Sequence, residues 1–188
     1  GVAEGLTAAA KARRCSEDVE IIMYEKGPDI SYANCGLPYY LSGVIKKRAD
    51  LLITNPEFFH RRFRVDARTN SEVLQIDRHR KKVLVKNLNT GQVEEQSYDR
   101  LILSPGSHPI IPPVPGMDLP FVYTLKTLGD TDKVFRHLKE RKPRRAAVVG
   151  GGLIGIEAVE NLAVKGLRTT VIELAPQILS FLDLEMAQ

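Results

Sequence analysis

The feature that most constrains the fold is a glycine turn in a fixed setting. The apolar run Ala146-Ala-Val-Val149 leads into Gly150-Gly-Gly152-Leu153-Ile154-Gly155, and Leu153 to Val164 continue as a helix. A second apolar run, Arg168 to Ile172, follows and ends on the acid Glu173. The pattern is G-x-G-x-x-G between strand and helix, with an acid closing the next strand. The three glycines act differently. Gly150 allows the tight turn, Gly152 lets backbone approach a pyrophosphate, and Gly155 lets helix and strand pack closely. The helix start, at Leu153 and Ile154 with Glu157 one turn on, offers free N–H groups and a partial positive charge to phosphates. A carboxylate at Glu173 accepts from both ribose hydroxyls and repels a 2′-phosphate, which leans towards NADH over NADPH.

The first half has the same organisation in damaged form. Gly1-Val2-Ala3-Glu4-Gly5 places Gly5 as the third glycine and Val2 where the second would stand, ahead of a small-residue helix that ends near Arg13 and Arg14. Val19 to Tyr24 then reads as a buried parallel strand closed by Glu25, so a second dinucleotide is expected there with Glu25 on its ribose. Asn55-Pro56-Glu57 carries an N-cap followed by proline at the first helical position and predicts a helix towards Phe63. Ser71 to Ile76, Lys82 to Asn87 and Val93 to Ser97 alternate apolar and polar residues around an Asn89-Thr-Gly91 turn, which predicts a small antiparallel meander. Leu101-Ile-Leu103 reads as a buried strand, and Pro105 to Gly116, with five prolines, as an irregular crossover. The fold class is therefore α/β: two Rossmann-like dinucleotide-binding domains, residues 1–113 and 114–188, with a meander.

Between the two units lies Ser31-Tyr-Ala-Asn34-Cys35-Gly-Leu-Pro-Tyr-Tyr40, a cysteine among turn formers ahead of a helix. A thiol near a helix N-terminus is held as the reactive thiolate, and Asn34 or Ser31 offers a hydrogen bond to it or to a leaving sulfur. Read from spacing alone, Cys35 is either such a nucleophile or a small core residue. Two cysteines in the whole chain are too few for a secreted disulfide framework or a cysteine-rich zinc site, and the four histidines show no metal spacing.

A net charge of +4 comes from basic residues interleaved with acidic ones, and an anionic small molecule accounts for it as well as nucleic acid does; without aromatic-basic interleaving, a nucleic-acid role is the weakest reading. The chain shows neither a membrane-spanning apolar run nor a signal segment, and the expected location is cytoplasmic.

Together, Gly1 to Gly5, Glu25, Ser31 to Tyr39, Tyr98-Asp-Arg-Leu-Ile-Leu-Ser104-Pro105-Gly106 and Gly150 to Glu157 resemble the FAD- and NAD(P)-dependent pyridine nucleotide-disulfide oxidoreductases. The likeness is to their single-cysteine branch, nearest the CoA-disulfide reductases, with NADH oxidases and persulfide reductases as relatives. It implies FAD on the first unit, held by Gly1, Val2, Ala3, Gly5, Glu25, Lys26, Ser104, Pro105 and Gly106, and NADH or NADPH on the second. Dithiol members carry a second cysteine about five residues after the first. Here that position is Tyr40, so Cys35 would cycle through a mixed disulfide, persulfide or sulfenic acid.

Oxidases and peroxidases of the branch usually carry histidine where this chain has Ala3, which tilts the expected acceptor to a disulfide. By the same resemblance Arg14 and Lys11 would meet CoA phosphates. The resemblance also implies that an opening strand, the rest of the nicotinamide domain and a dimerisation domain belong to a longer homodimeric protein. Water-forming NADH oxidation and a flavin-binding redox sensor are the alternative readings.

Overall fold

The chain, described over residues 2–187 in a computed structural model, is a mixed α/β arrangement that divides into two compact units, Gly1–Tyr32 with Leu52–Ser107, and Ala33–Leu51 with His108–Gln188. Neither unit is contiguous in sequence, because the segment around Cys35 clusters with the C-terminal half.

In the first unit α1 (Glu4–Cys15) precedes β1 (Ile21–Tyr24), which pairs in parallel with β4 (Val65–Arg68), Ile21 opposite Val65. The short strands β2 (Ser31–Tyr32) and β3 (Leu52–Thr54) pair antiparallel. Helix α3 (Pro56–Phe63) joins β3 to β4 and starts as its sequence dictates: Asn55 is extended and its side chain accepts from Phe58 N–H at 2.8 Å, with Pro56 at the first position. Apolar residues at helical spacing on α1 make the core, where Leu6 and Ala9 meet Met23, Ile30, Phe59 and Val65. Burial of a side chain such as Val65 contributes roughly 1.5–3 kcal/mol.

The meander forms where the alternation placed it. Strands β5 (Ser71–Asp77), β6 (Lys82–Asn87) and β7 (Val93–Ser97) pair antiparallel, with an irregularity between Val73 and Gln75. Val83 and Val85 face inward, and Lys82 and Arg80 both pair with Glu95. The strand expected at Leu101–Leu103 does not form. Those three side chains are exposed, Leu103 at 65%, and no ladder pairs them among the described residues. An apolar run becomes a strand only where a neighbour accepts and donates its backbone hydrogen bonds.

The second unit contains a parallel βαβ element: β8 (Arg145–Val149), α5 (Leu153–Val164) and β9 (Arg168–Ile172), with Arg145 opposite Arg168. Helix α2 (Leu37–Ser42) packs against α5 and against α4 (Leu128–Arg141), and a short α6 (Leu184–Ala187) ends the described chain. Tyr40 of α2 stacks on Phe135 of α4 with ring centroids 4.8 Å apart, while Arg48 pairs with Asp132 at 2.9 Å. No helix is long and apolar enough to cross a membrane among the described residues.

Helix α4 lies outside the sequence expectations, although its start is written in the chain. The Thr127 side chain accepts from Asp130 N–H and the Asp130 carboxylate accepts from Thr127 N–H, both at 3.1 Å, a complete capping box. Replacing Thr127 with alanine should cost about 1 kcal/mol, readable as a fall of about 2–4 °C in melting temperature. An unchanged melting curve would show that the box does not hold the helix start.

Candidate functional site

The glycine turn in the second unit is built on contact limits that name each glycine. Gly150 adopts φ +102°, a conformation closed to most side chains. A Cβ on Gly155 would lie 1.9 Å from the Gly150 carbonyl oxygen, so only glycine lets α5 start this close to β8. Gly152, extended at φ −77° as the N-cap of α5, faces open space, with nothing within 4 Å of where a Cβ would project. Leu153 and Ile154, the first residues of the helix, are exposed, and the half-buried Glu157 accepts from Asn161 through its carbonyl at 2.9 Å. Glu173 completes the turn. Its carboxylate accepts from Gly151 N–H at 2.5 Å and from Ala175 N–H at 2.8 Å. The N–H groups of Ala175 first, then Gly151 and Leu174, hold this carboxyl below the usual carboxylate range. The cradle at Gly152, the helix start and the strand-end acid fit a dinucleotide.

The first unit presents a related but looser turn. Val2 sits at φ +54°, an unusual state for a β-branched residue, and its N–H donates to Ile30 O at 2.7 Å. Ala3 caps α1 without a side-chain bond. A Cβ on Gly5 would meet Ser104 Cβ at an ordinary 3.7 Å, so Gly5 and Ser104 adjoin, though without the exclusion seen at Gly155. The Glu25 carboxylate accepts from Gly27 N–H at 2.8 Å, two residues on, as Glu173 does from Ala175. Both strand-end acids are thus aimed by the same local bond. Lys26 pairs with Glu72 at 2.7 Å on the surface. Pro105 and Gly106 are exposed, Gly106 with φ +70°. Gly1, expected in this turn, lies outside the described residues. The part of this set that is described offers a backbone turn, a helix start and an acid, which also suits a dinucleotide.

Cys35 is exposed in a single turn of 3-10 helix, Asn34–Gly36, that runs straight into α2. The turn is held by Gly36 N–H to Ala33 O at 2.9 Å and Ala33 N–H to Leu51 O at 2.8 Å. A Cβ on Gly36 would lie 2.5 Å from Leu51 Cδ2, so the residue after the thiol is pinned inward while the thiol stays outward. Asn34 is exposed beside it. Ser31 is buried in the first unit and donates its hydroxyl to Val2 O at 3.0 Å, which occupies its one donor. Lys11 and Arg14 are exposed on α1, and no His, Cys, Asp or Glu cluster suited to a metal occurs among the described residues.

The family model for pyridine nucleotide-disulphide oxidoreductase matches residues 1–188. The chain belongs to the pyridine nucleotide-disulphide oxidoreductase family. It is 36% identical over 187 residues to a coenzyme A disulfide reductase of Staphylococcus haemolyticus, spanning 100% of this chain and 42% of that protein. An NADH oxidase of Methanocaldococcus jannaschii is also 36% identical over 187 residues, spanning 99% of this chain and 42% of the oxidase. The crystal structure of reduced CoADR-RHD from Bacillus anthracis superposes with TM-score 0.97 at 47% identity, over 100% of this chain and 34% of that one. The chain therefore spans less than half the length of these relatives. The family is FAD- and NAD(P)-dependent.

Two measurements separate the parts of the glycine turn. Gly155→Ala should lower stability by about 1–3 kcal/mol through overpacking, whereas Gly152→Ala should leave it within about 0.5 kcal/mol. Equal urea midpoints for the two variants would contradict the contact geometry. The depressed carboxyl of Glu173 makes the native state bind fewer protons than the unfolded chain just below the ordinary value of 4.5. Its contribution is therefore present above that value and lost as pH falls through the native pKa. Glu173→Gln should lower the urea midpoint at about pH 6, and its difference from the unsubstituted protein should shrink as pH falls below the ordinary value of 4.5. An offset that stays constant as pH falls would refute the linkage.

Proposed function

We propose that this chain is part of a flavoprotein that passes electrons from NADH through FAD to Cys35 and reduces CoA disulfide or a related low-molecular-weight disulfide or persulfide. The observation that carries the reading is the exposed thiol of Cys35 on its pinned turn, with the aromatic Tyr40 stacked on Phe135 where a second thiol would stand in a dithiol enzyme.

On this reading residues 1–113 form the FAD-binding domain, with Val2, Ala3, Gly5, Glu25, Lys26, Ser104, Pro105 and Gly106, and with Gly1 before them. Residues 114–188 form part of the nicotinamide-nucleotide domain, with Gly150, Gly152, Leu153, Ile154, Gly155 and Glu157 at the pyrophosphate. Glu173, already anionic and aimed by backbone bonds, takes the ribose hydroxyls and disfavours a 2′-phosphate. Bound FAD and NADH supply the two-electron transfer that ends on sulfur.

Cys35 does the sulfur chemistry. Its thiolate attacks one sulfur of the substrate disulfide; the S–S bond breaks, one thiol leaves after taking up a proton, and the other half remains as a mixed disulfide. Two electrons and a proton from NADH then split that bond and restore Cys35 as thiolate with release of the second thiol. The sum is one disulfide, one NADH and one proton converted to two thiols and NAD. Asn34, the exposed residue next to Cys35 in the chain, is the proposed donor to the leaving thiolate, while Ser31 holds the turn at Val2. Lys11 and Arg14 meet the phosphates of the anionic substrate, in a homodimer of the full-length protein.

Oxygen reduction through a Cys35 sulfenic acid is the second reading, supported by the likeness to the M. jannaschii NADH oxidase. The full-length protein, reduced anaerobically by NADH and then given either CoA disulfide or air, separates the two. Fast reoxidation by CoA disulfide, abolished in Cys35→Ser, is the expected result. Fast reoxidation by air alone would transfer the assignment to an oxidase, and a protein without a flavin spectrum would end both.

A further inference from the structure

Arg13 is a buried arginine that the proposed chemistry does not use. It is 8% exposed, yet no carboxylate pairs with it among the described residues; its guanidinium is spent on main-chain carbonyls. Nε donates to Phe63 O at 2.8 Å and one terminal nitrogen to Arg64 O at 3.0 Å. The other terminal nitrogen donates to Ser16 O at 3.2 Å and Glu17 O at 2.7 Å. Phe63 and Arg64 end α3, and Ser16 and Glu17 lead out of α1. One planar fork thus joins the carbonyl ends of two helices, where dipoles favour a cation. Arg64, in the left-handed conformation at φ +49°, answers by donating to Glu17 O at 3.0 Å and by pairing with the Glu17 carboxylate.

The clamp bears on recognition because of what stands beside it. Arg14 is the next residue, turned about 100° round the helix, and is exposed while Arg13 is buried. Lys11 and Arg14 are three apart, so they share one solvent-facing stripe of α1. Two like charges on one stripe repel each other, and an exposed helix end frays unless something fixes it. Arg13 fixes the last turn of α1, the turn that carries Arg14.

We propose that Arg13 is a positioning residue for the phosphates of the substrate: its clamp between the ends of α1 and α3 holds Lys11 and Arg14 where an anionic disulfide meets them. The inference rests on the reading of Lys11 and Arg14 as phosphate contacts. It assigns Arg13 no contact with substrate, and it concerns selectivity for charged over uncharged disulfides, leaving the chemistry at sulfur untouched.

The test uses the full-length enzyme and two substrates, CoA disulfide and the phosphate-free hydroxyethyl disulfide. A lysine offers three donors from one nitrogen and cannot span both helix ends, so Arg13→Lys releases the clamp while keeping the charge. KM for CoA disulfide should rise about tenfold, the loss of one charge-assisted contact. KM for hydroxyethyl disulfide and both kcat values should stay within about twofold, and desulfo-CoA should bind correspondingly more weakly by calorimetry. A purely structural role would move both substrates together or neither, and either result overturns the proposal. Should Arg13→Lys not fold, Arg64→Met at the exposed side of the clamp carries the test, with a selective KM rise of about threefold expected and unchanged selectivity overturning it. An unsubstituted enzyme with no preference for CoA disulfide would instead remove the underlying substrate reading.

Discussion

The close approach of α5 to β8 is the constraint on which the second unit depends. With the Gly155 Cα placed so that any Cβ would fall 1.9 Å from the Gly150 carbonyl oxygen, helix and strand meet without an intervening side chain. That approach sets the βαβ register, Val149 opposite Ile172, and so delivers Glu173 beside the turn it closes. Gly150 at φ +102° and the open space at Gly152 follow from the same geometry: the chain must reverse sharply and leave one side uncovered. The first unit reaches a similar outline with less steric insistence. Gly5 has room for a methyl group, and Val2 takes a left-handed conformation without being glycine. Yet Glu25 and Glu173 are held in the same way, each by an N–H two residues downstream.

The parts of this arrangement that depend on short-range rules are legible in the sequence. The glycine turn, its helix and the flanking strands, the Asn55-Pro56 helix start and the three-stranded meander all follow from periodicity, turn chemistry and capping. The Thr127–Asp130 capping box is equally local but less conspicuous, because Thr-x-x-Asp departs from the commoner Glu or Gln at the last position. What the sequence conceals are features set by distant partners. Leu101 to Leu103 have the composition of a strand but lack a neighbour among the described residues. The membership of Ala33–Leu51 in the second unit depends on Tyr40 meeting Phe135 and Arg48 meeting Asp132, pairs far apart along the chain.

For the candidate site the division is similar. Residue types at fixed spacing identify the glycines, the two acids and the thiol. Their hydrogen-bond partners are not readable, because a side chain such as Ser31 or Lys26 chooses among several acceptors only once the fold is complete. Arg13 shows the limit most plainly. Beside Arg14 in a basic helix end it reads as one more solvated charge, and only the carbonyls of Phe63 and Arg64, brought near by the packing of α3 against β4, draw it inside.

The turn that carries Cys35 is fastened by a different class of contact from the rest. The bonds that hold the turn itself lie between backbone groups, Ala33 N–H to Leu51 O, Gly36 N–H to Ala33 O and Leu37 N–H to Asn34 O, and none of them carries a formal charge. Surface ion pairs such as Lys26–Glu72 weaken with added salt, and carboxylates change their bonding when protonated. The shape of the turn at the sulfur is therefore insensitive to ionic strength and acidity, whereas the Arg48–Asp132 pair that helps tie its segment to α4 is the part that added salt weakens.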